Sequence, residues 1–192
     1  DLSRVAVAGL SAGASMAALL GALYPTRFCA VAMHSGVAPG TAESAANALA
    51  AMRGTRDAQL PDAWPALPTA TTDTGLPAAP QGLRLPPLLV LHGDADRVVS
   101  VRNATATALL WAQASGARAT AERTVARGQR YPMRAVDFKL RGQLAVSLRE
   151  IAGLDHAWSG GAPRLPYSDP KGPDASRLIL AFVQKQWARD DA

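Results

Sequence analysis

Arg4-Val5-Ala6-Val7-Ala8-Gly9-Leu10-Ser11-Ala12-Gly13 is the stretch whose reading decides the fold. Val5, Ala6, Val7 and Ala8 form a short apolar, β-branched run that ends at Gly9 and reads as a buried strand. Gly13 to Tyr24 reads as a helix, because Met16, Leu19, Leu20 and Leu23 recur at helical spacing and Pro25 stops it. Gly9-Leu10-Ser11-Ala12-Gly13 is therefore a G-x-S-x-G pattern on a predicted strand-to-helix turn. A nucleophile on such a turn adopts a strained backbone, and the flanking glycines leave room for strand and helix to approach closely. The turn lifts Ser11 Oγ clear of the sheet. It also sets the Ala12 N–H at the start of a helix, where unpaired donors and the dipole favour a developing oxyanion.

Outward from this turn, strands alternate with helices. Phe28 to Met33 reads as a second buried strand closed by His34-Ser35-Gly36, and Pro87-Leu88-Leu89-Val90-Leu91 as a third, followed by His92-Gly93-Asp94-Ala95-Asp96. Thr41 to Met52 is Ala-rich and helical, and Val101 to Ser115 is a helix that Gly116 terminates. Residues 40–82, in which a Pro-, Thr- and Gly-rich stretch with Trp64 follows that first helix, read as a lid-like or substrate-loop insertion. Alternating patterns at Ala119–Val125, Met133–Leu140 and Leu144–Ile151 predict strands, the last two flanking Arg141-Gly142 as a hairpin. Asp174 to Trp187 closes the chain as a helix with Leu178, Ile179, Phe182 and Val183 on its apolar side. This alternation predicts a single α/β domain over 1–192 with a mostly parallel sheet flanked by helices.

Composition removes several classes. The 192 residues are 48% hydrophobic, too apolar for a disordered chain and enough for one core. A single cysteine, Cys29, cannot close an internal disulfide and reads as an inert small hydrophobe. No run approaches the roughly 20 apolar residues of a membrane helix. The net charge of +5 is carried by scattered arginines, densest from Arg118 to Arg141, with apolar residues between them. That spacing describes a solvated sheet face rather than a nucleic-acid surface. His34, His92, His156 and Cys29 lack metal-ligand spacing, so no metal or other cofactor is expected.

A serine hydroxyl needs a base. Of the three histidines, His34 and His92 each end a buried strand and read as rings bonded to nearby backbone. His156 lies on Gly153-Leu154-Asp155-His156-Ala157-Trp158, a loop after the last strand, and is the candidate base. The base in turn needs a carboxylate to fix its tautomer and stabilise the imidazolium. Asp94 and Asp96 follow the third strand. Asp96 is preferred, because the first residues after the strand bend the chain and the next reach toward the histidine loop; Asp94 reads as a turn carboxylate. Asp155 adjoins the base too closely in sequence to face it, and Asp137 reads as solvated. Trp158 and Trp64 are candidate walls of the substrate site, Trp111 and Trp187 core residues.

The chain resembles the esterases of the poly(3-hydroxybutyrate) depolymerase family, within the α/β-hydrolase superfamily. The resemblance rests on Ala8–Met16, His34-Ser35-Gly36, His92–Val99 with Arg102-Asn103, His156-Ala157-Trp158-Ser159-Gly160-Gly161 and Asp169–Ser176, in the family's order. It implies Ser11 as nucleophile, Asp96 as acid and His156 as base, in the Ser, Asp, His order of α/β-hydrolases. It further implies hydrolysis of polyester or aromatic acyl esters and an exported, secreted or periplasmic protein. Family members carry strands before the nucleophile strand, including a loop with a second oxyanion donor; here Asp1-Leu2-Ser3 alone precede it. The expectation is therefore the C-terminal part of the fold, lacking its N-terminal strands. Its open edge should favour self-association or a completing N-terminal segment. Competing readings are another acyl transfer on the same residues, a peptidase or acyltransferase, and a non-catalytic, incomplete fragment.

Overall fold

The structure, a computed structural model, describes residues 4–42, 44–60 and 85–190. Trp64 and most of the irregular part of the 40–82 stretch lie outside the described residues. The elements in chain order are β1 (Ala6–Leu10), α1 (Ala12–Leu23), β2 (Ala30–His34), α2 (Ala45–Met52), β3 (Leu88–Gly93), α3 (Arg102–Ala114), β4 (Arg118–Ala119), β5 (Arg123–Val125), β6 (Met133–Leu140), β7 (Gln143–Ile151), β8 (Trp158–Ser159), β9 (Ser168–Asp169) and α4 (Ala175–Asp190).

The main sheet runs β1-β2-β3-β7-β6-β4, with β5 also pairing with β6. β1, β2, β3 and β7 are mutually parallel, in the registers Ala6↔Ala30, Val31↔Leu88 and Leu88↔Val146. β6 returns antiparallel to β7 through Arg141-Gly142, whose φ angles of 49° and 82° are those of a tight two-residue hairpin. This is the α/β architecture expected from the sequence, a mainly parallel sheet flanked by helices. The predicted strand 119–125 is instead two short pieces, β4 and β5. Glu122 between them is drawn into an ion pair with Arg134.

Alternation along each strand builds two cores, because successive side chains point to opposite faces. Val31, Met33, Leu88, Val90, Val146 and Leu148 face α1 and α3, where Trp111 is fully buried and donates Nε1–H to Pro86 O (2.8 Å). Ala30, Ala32, Leu89 and Leu91 face α4, whose Phe182 and Val183 close the other side. Trp187 packs on this second core, with its indole N–H 3.1 Å from Cys29 Sγ.

The face α1 turns to the sheet is not its large-residue stripe. Its buried residues are Ala14, Ala17, Ala18, Gly21 and Ala22, whereas Met16 is 54% exposed. Strand and helix lie too close for anything larger. A Cβ on Gly9 would collide with the backbone carbonyl of Gly13, and one on Gly21 with Val31. Gly13 itself has open space where a Cβ would stand, so of the two elbow glycines only Gly9 is required sterically. The close approach leaves Met16 and Leu19 free to line a cavity beside Ser11.

Candidate active site

Ser11 caps the N-terminus of α1 with φ 56° and ψ −122°, a conformation that L-residues rarely adopt. Its amide is tied to His34 O at the end of β2 (2.9 Å), and its carbonyl accepts the Ala14 and Ser15 amides. The strain is thus held by the first turn of the helix and by the neighbouring strand, as a nucleophile elbow requires. Ala12 N–H is the first amide of α1, and by position it has no partner inside the helix.

The three residues chosen from sequence converge on one chain of hydrogen bonds. Ser11 Oγ lies 2.9 Å from His156 Nε2, and His156 Nδ1 lies 2.8 Å from Asp96 Oδ2. A carboxylate can only accept, so Nδ1 carries the proton and Nε2 is left to accept from the serine hydroxyl. The Asp96 side chain is fully buried, and its other oxygen accepts Val98 N–H (2.9 Å) and Val99 N–H (2.8 Å). Burial alone would raise its pKa. The hydrogen bonds from His92, His156, Val99 and Val98 outweigh that and hold Asp96 well below the usual carboxylate range.

Two loops clasp one another to set this geometry. Asp94 accepts Gly153 N–H (2.7 Å), Asp155 accepts Arg97 N–H (3.1 Å) and its own neighbour's His156 N–H (2.8 Å), and Leu154 O accepts Ala95 N–H (3.2 Å). Asp94, expected to serve its own turn, instead bonds across to the histidine loop, and Asp155 belongs to the same clasp. Asp137 departs from expectation. It is buried between Arg123, Arg149 and Ser147, each at 2.8 to 2.9 Å, and those partners hold its pKa down against burial. The arginine-rich face is accordingly laced with ion pairs, Arg134 with Glu122 and Glu150 among them.

His34 and Trp158 form a second layer. The His34 ring is fully buried, its Nδ1 3.1 Å from Ser35 Oγ, and its Nε2 accepts the amide of Ser159 (3.2 Å). Trp158 stacks on it with ring centroids 5.3 Å apart. By sequence Trp158 is a candidate wall of the acyl site. The structure puts it instead on His34 and the α4 core, and it does not line the cavity beside Ser11. That cavity, about 850 Å³, is walled mainly by apolar side chains such as Met16, Leu19, Val37, Met52 and Leu60, with Gln59 and Ser15 among its polar atoms. Its shape depends on Asn103, which the sequence did not single out as functional. The Asn103 side chain accepts Ala38 N–H (3.2 Å) and donates to Ala51 O (2.9 Å), joining the 37–40 segment to the end of α2. Among the described residues no cluster of metal-ligating side chains is present.

Burial, and the positive charges that His92 and His156 would carry beside it, push His34 down to about 3, with Asp96 opposing weakly. Protonation therefore favours the unfolded chain from pH 6.5 downward, and the loss of stability continues until the folded-state pKa is reached. Asp96 adds its own loss below the ordinary carboxylate value of 3.8, since its pKa is depressed by folding. The melting temperature is expected to fall steadily from pH 6.5 to 4 before any carboxylate titrates fully. A flat melting temperature across that window in a thermal-unfolding series contradicts the His34 assignment.

Three comparisons bear on the family. The Esterase PHB depolymerase family model matches residues 1–129. A protein of Aspergillus clavatus named probable acetylxylan esterase A is 30% identical over 173 residues, covering 84% of this chain and 54% of that protein. The solved structure of an acetyl xylan esterase from Aspergillus awamori superposes with a TM-score of 0.63 at 19% identity, covering 96% of this chain and 60% of that one, which supports the fold alone. The chain thus spans about half the length of the relative it matches in sequence. With the family model covering most of the chain, from the elbow through Asp96, this chain belongs to the Esterase PHB depolymerase family.

Proposed function

We propose that this chain carries the catalytic machinery of a serine carboxylic-ester hydrolase that works through an acyl-enzyme. The observation that carries the reading is the unbroken line from Ser11 Oγ through His156 to Asp96, with both hydrogen bonds under 3 Å. As Ser11 Oγ attacks the ester carbonyl carbon, His156 Nε2 takes its proton. The carbonyl oxygen becomes an oxyanion beside Ala12 N–H at the start of α1. Collapse of the tetrahedral intermediate breaks the bond to the alcohol, which leaves with the proton from His156. Water then repeats the sequence on the acyl-enzyme, giving up a proton to His156, and releases the acid and Ser11.

The apolar cavity beside Ser11 supports an ester with an apolar acyl or alcohol part, such as a polyhydroxyalkanoate-type polyester or an aromatic acyl ester. The names of the two relatives favour a second reading, an acetyl ester of a polysaccharide. Export to the periplasm or the medium goes with the family resemblance and is part of the proposal.

A fluorophosphonate probe is expected to label Ser11, since labelling needs an activated serine; its absence leaves a non-catalytic member of the family. Rates on p-nitrophenyl esters of increasing acyl length, feruloyl esters and polyhydroxybutyrate film are expected to favour the larger apolar groups. A clear preference for the acetyl ester supports the second reading instead.

A further inference from the structure

His92 is fully buried at the end of β3, and the acyl-transfer steps above do not use it. Its Nε2 lies 2.9 Å from Val99 O and 3.4 Å from Asp96 Oδ2. Both neighbours are acceptors only, so Nε2 carries the proton and Nδ1 does not. Nδ1 is buried and has no hydrogen-bond partner among the described residues. A half-satisfied imidazole in a buried position is costly, where an apolar residue of similar volume would pack without that penalty. The two contacts of Nε2 account for the residue. The shorter one pins the carbonyl of Val99, whose own amide, with that of Val98, holds Asp96 Oδ1. The longer one is an electrostatic contact to the same oxygen that receives the His156 proton.

We propose that His92 is a positioning residue for the acid: it clamps the 96–99 turn and, through its Nε2–H, tempers the charge on Asp96 Oδ2 that His156 feels. The inference rests on the esterase reading for its kinetic consequence, and on geometry alone for its structural one. The groups that face His92 are Asp96 on the loop after its strand, His34 at the end of β2 and Glu150 on β7, and His156 bonds to the same Asp96 oxygen. Removing the Nε2–H leaves Asp96 Oδ2 more negative. A more negative carboxylate holds the imidazolium of His156 more tightly.

The test compares His92→Leu, which removes the donor, with His92→Gln, whose Nε2 can take the place of the ring donor. On a p-nitrophenyl ester, His92→Leu is expected to lose about 10- to 100-fold in kcat with KM little changed, the worth of a hydrogen bond to a charged group. The acidic limb of its kcat/KM profile is expected to move to higher pH. His92→Gln is expected to recover most of both. A second readout does not need turnover: the far-downfield proton resonance of the His156–Asp96 hydrogen bond, followed through a pH titration of each variant. It is expected to persist to higher pH in His92→Leu and to return toward wild type in His92→Gln. If the wild-type chain takes no fluorophosphonate, the esterase reading fails while the resonance still decides the role of His92. A limb and a resonance unmoved in a folded His92→Leu overturn the proposal. So does a loss of kcat that His92→Gln leaves unrepaired, because a merely structural ring would behave that way.

Discussion

Ser11→Ala and His156→Ala are each expected to lower kcat by about 10,000- to 1,000,000-fold, and Asp96→Asn by about 10,000-fold. The reason is the serial arrangement of the bonds. Without His156 the Ser11 hydroxyl has no acceptor for its proton, and without Asp96 nothing fixes the His156 proton on Nδ1. Double variants should be little worse than the worst single one, because the three groups act as a unit. Asp94→Asn provides the contrast. Its carboxylate holds Gly153 N–H and touches neither Ser11 nor His156 among the contacts of the clasp, so its kcat should stay within about tenfold of wild type. Steady-state rates on a p-nitrophenyl ester, read beside thermal melts to confirm folding, decide the matter. An inactive Asp94→Asn with an active Asp96→Asn reverses the assignment of the acid, and undiminished turnover in Ser11→Ala removes the mechanism.

The parts of the site that were legible in the sequence are those fixed by chain direction. A strand, a G-x-S-x-G turn and a helix leave one place for Ser11. The acid and base then had to come from loops at the same ends of later parallel strands. β1, β3 and β7 all deliver their following loops to one side of the sheet, which is why Ser11, Asp96 and His156 meet. What sequence could not give was side-chain traffic between loops. Trp158 follows the base by two positions, yet it turns away to stack on His34. Asp137 sits in an alternating strand, and the alternation says only which face it takes, not that Arg123 and Arg149 fill that face around it. Likewise the spacing of Met16, Leu19, Leu20 and Leu23 marks a helix without saying which stripe it buries. Collision at Gly9 and Gly21 decides that, and it selects alanines. His34 and His92 read alike as strand-end rings. They differ in that one accepts a distant amide from the base loop and the other faces the acid.

The largest remaining effect concerns the sheet edge beside the nucleophile. β1 pairs with β2, and among the described residues no strand lies on its other side. Val5 and Ala8 are exposed and Val7 is only half-buried, although β1 carries the elbow. An apolar strand edge of this kind is a template for pairing with more polypeptide. An oxyanion hole of this superfamily takes one amide from the residue after the nucleophile and a second from a loop following an earlier strand. The Ala12 N–H stands where the first is needed, and the expectation is that the second comes from a segment lying against the open side of β1. We therefore expect the 192-residue chain by itself to self-associate through β1 and to turn over esters about 100- to 1000-fold more slowly than the same chain joined to an N-terminal segment of the family type. Light scattering and esterase rates measured on the two forms provide the check. Because an oxyanion donor acts on the transition state, the gain should appear in kcat rather than KM. Fluorophosphonate labelling of Ser11 should occur in both forms, since the hydroxyl is activated by His156 in either. A monodisperse monomer whose turnover the added segment does not raise would mean that a second donor already lies within these residues, and that the exposed edge of β1 is tolerated as it stands.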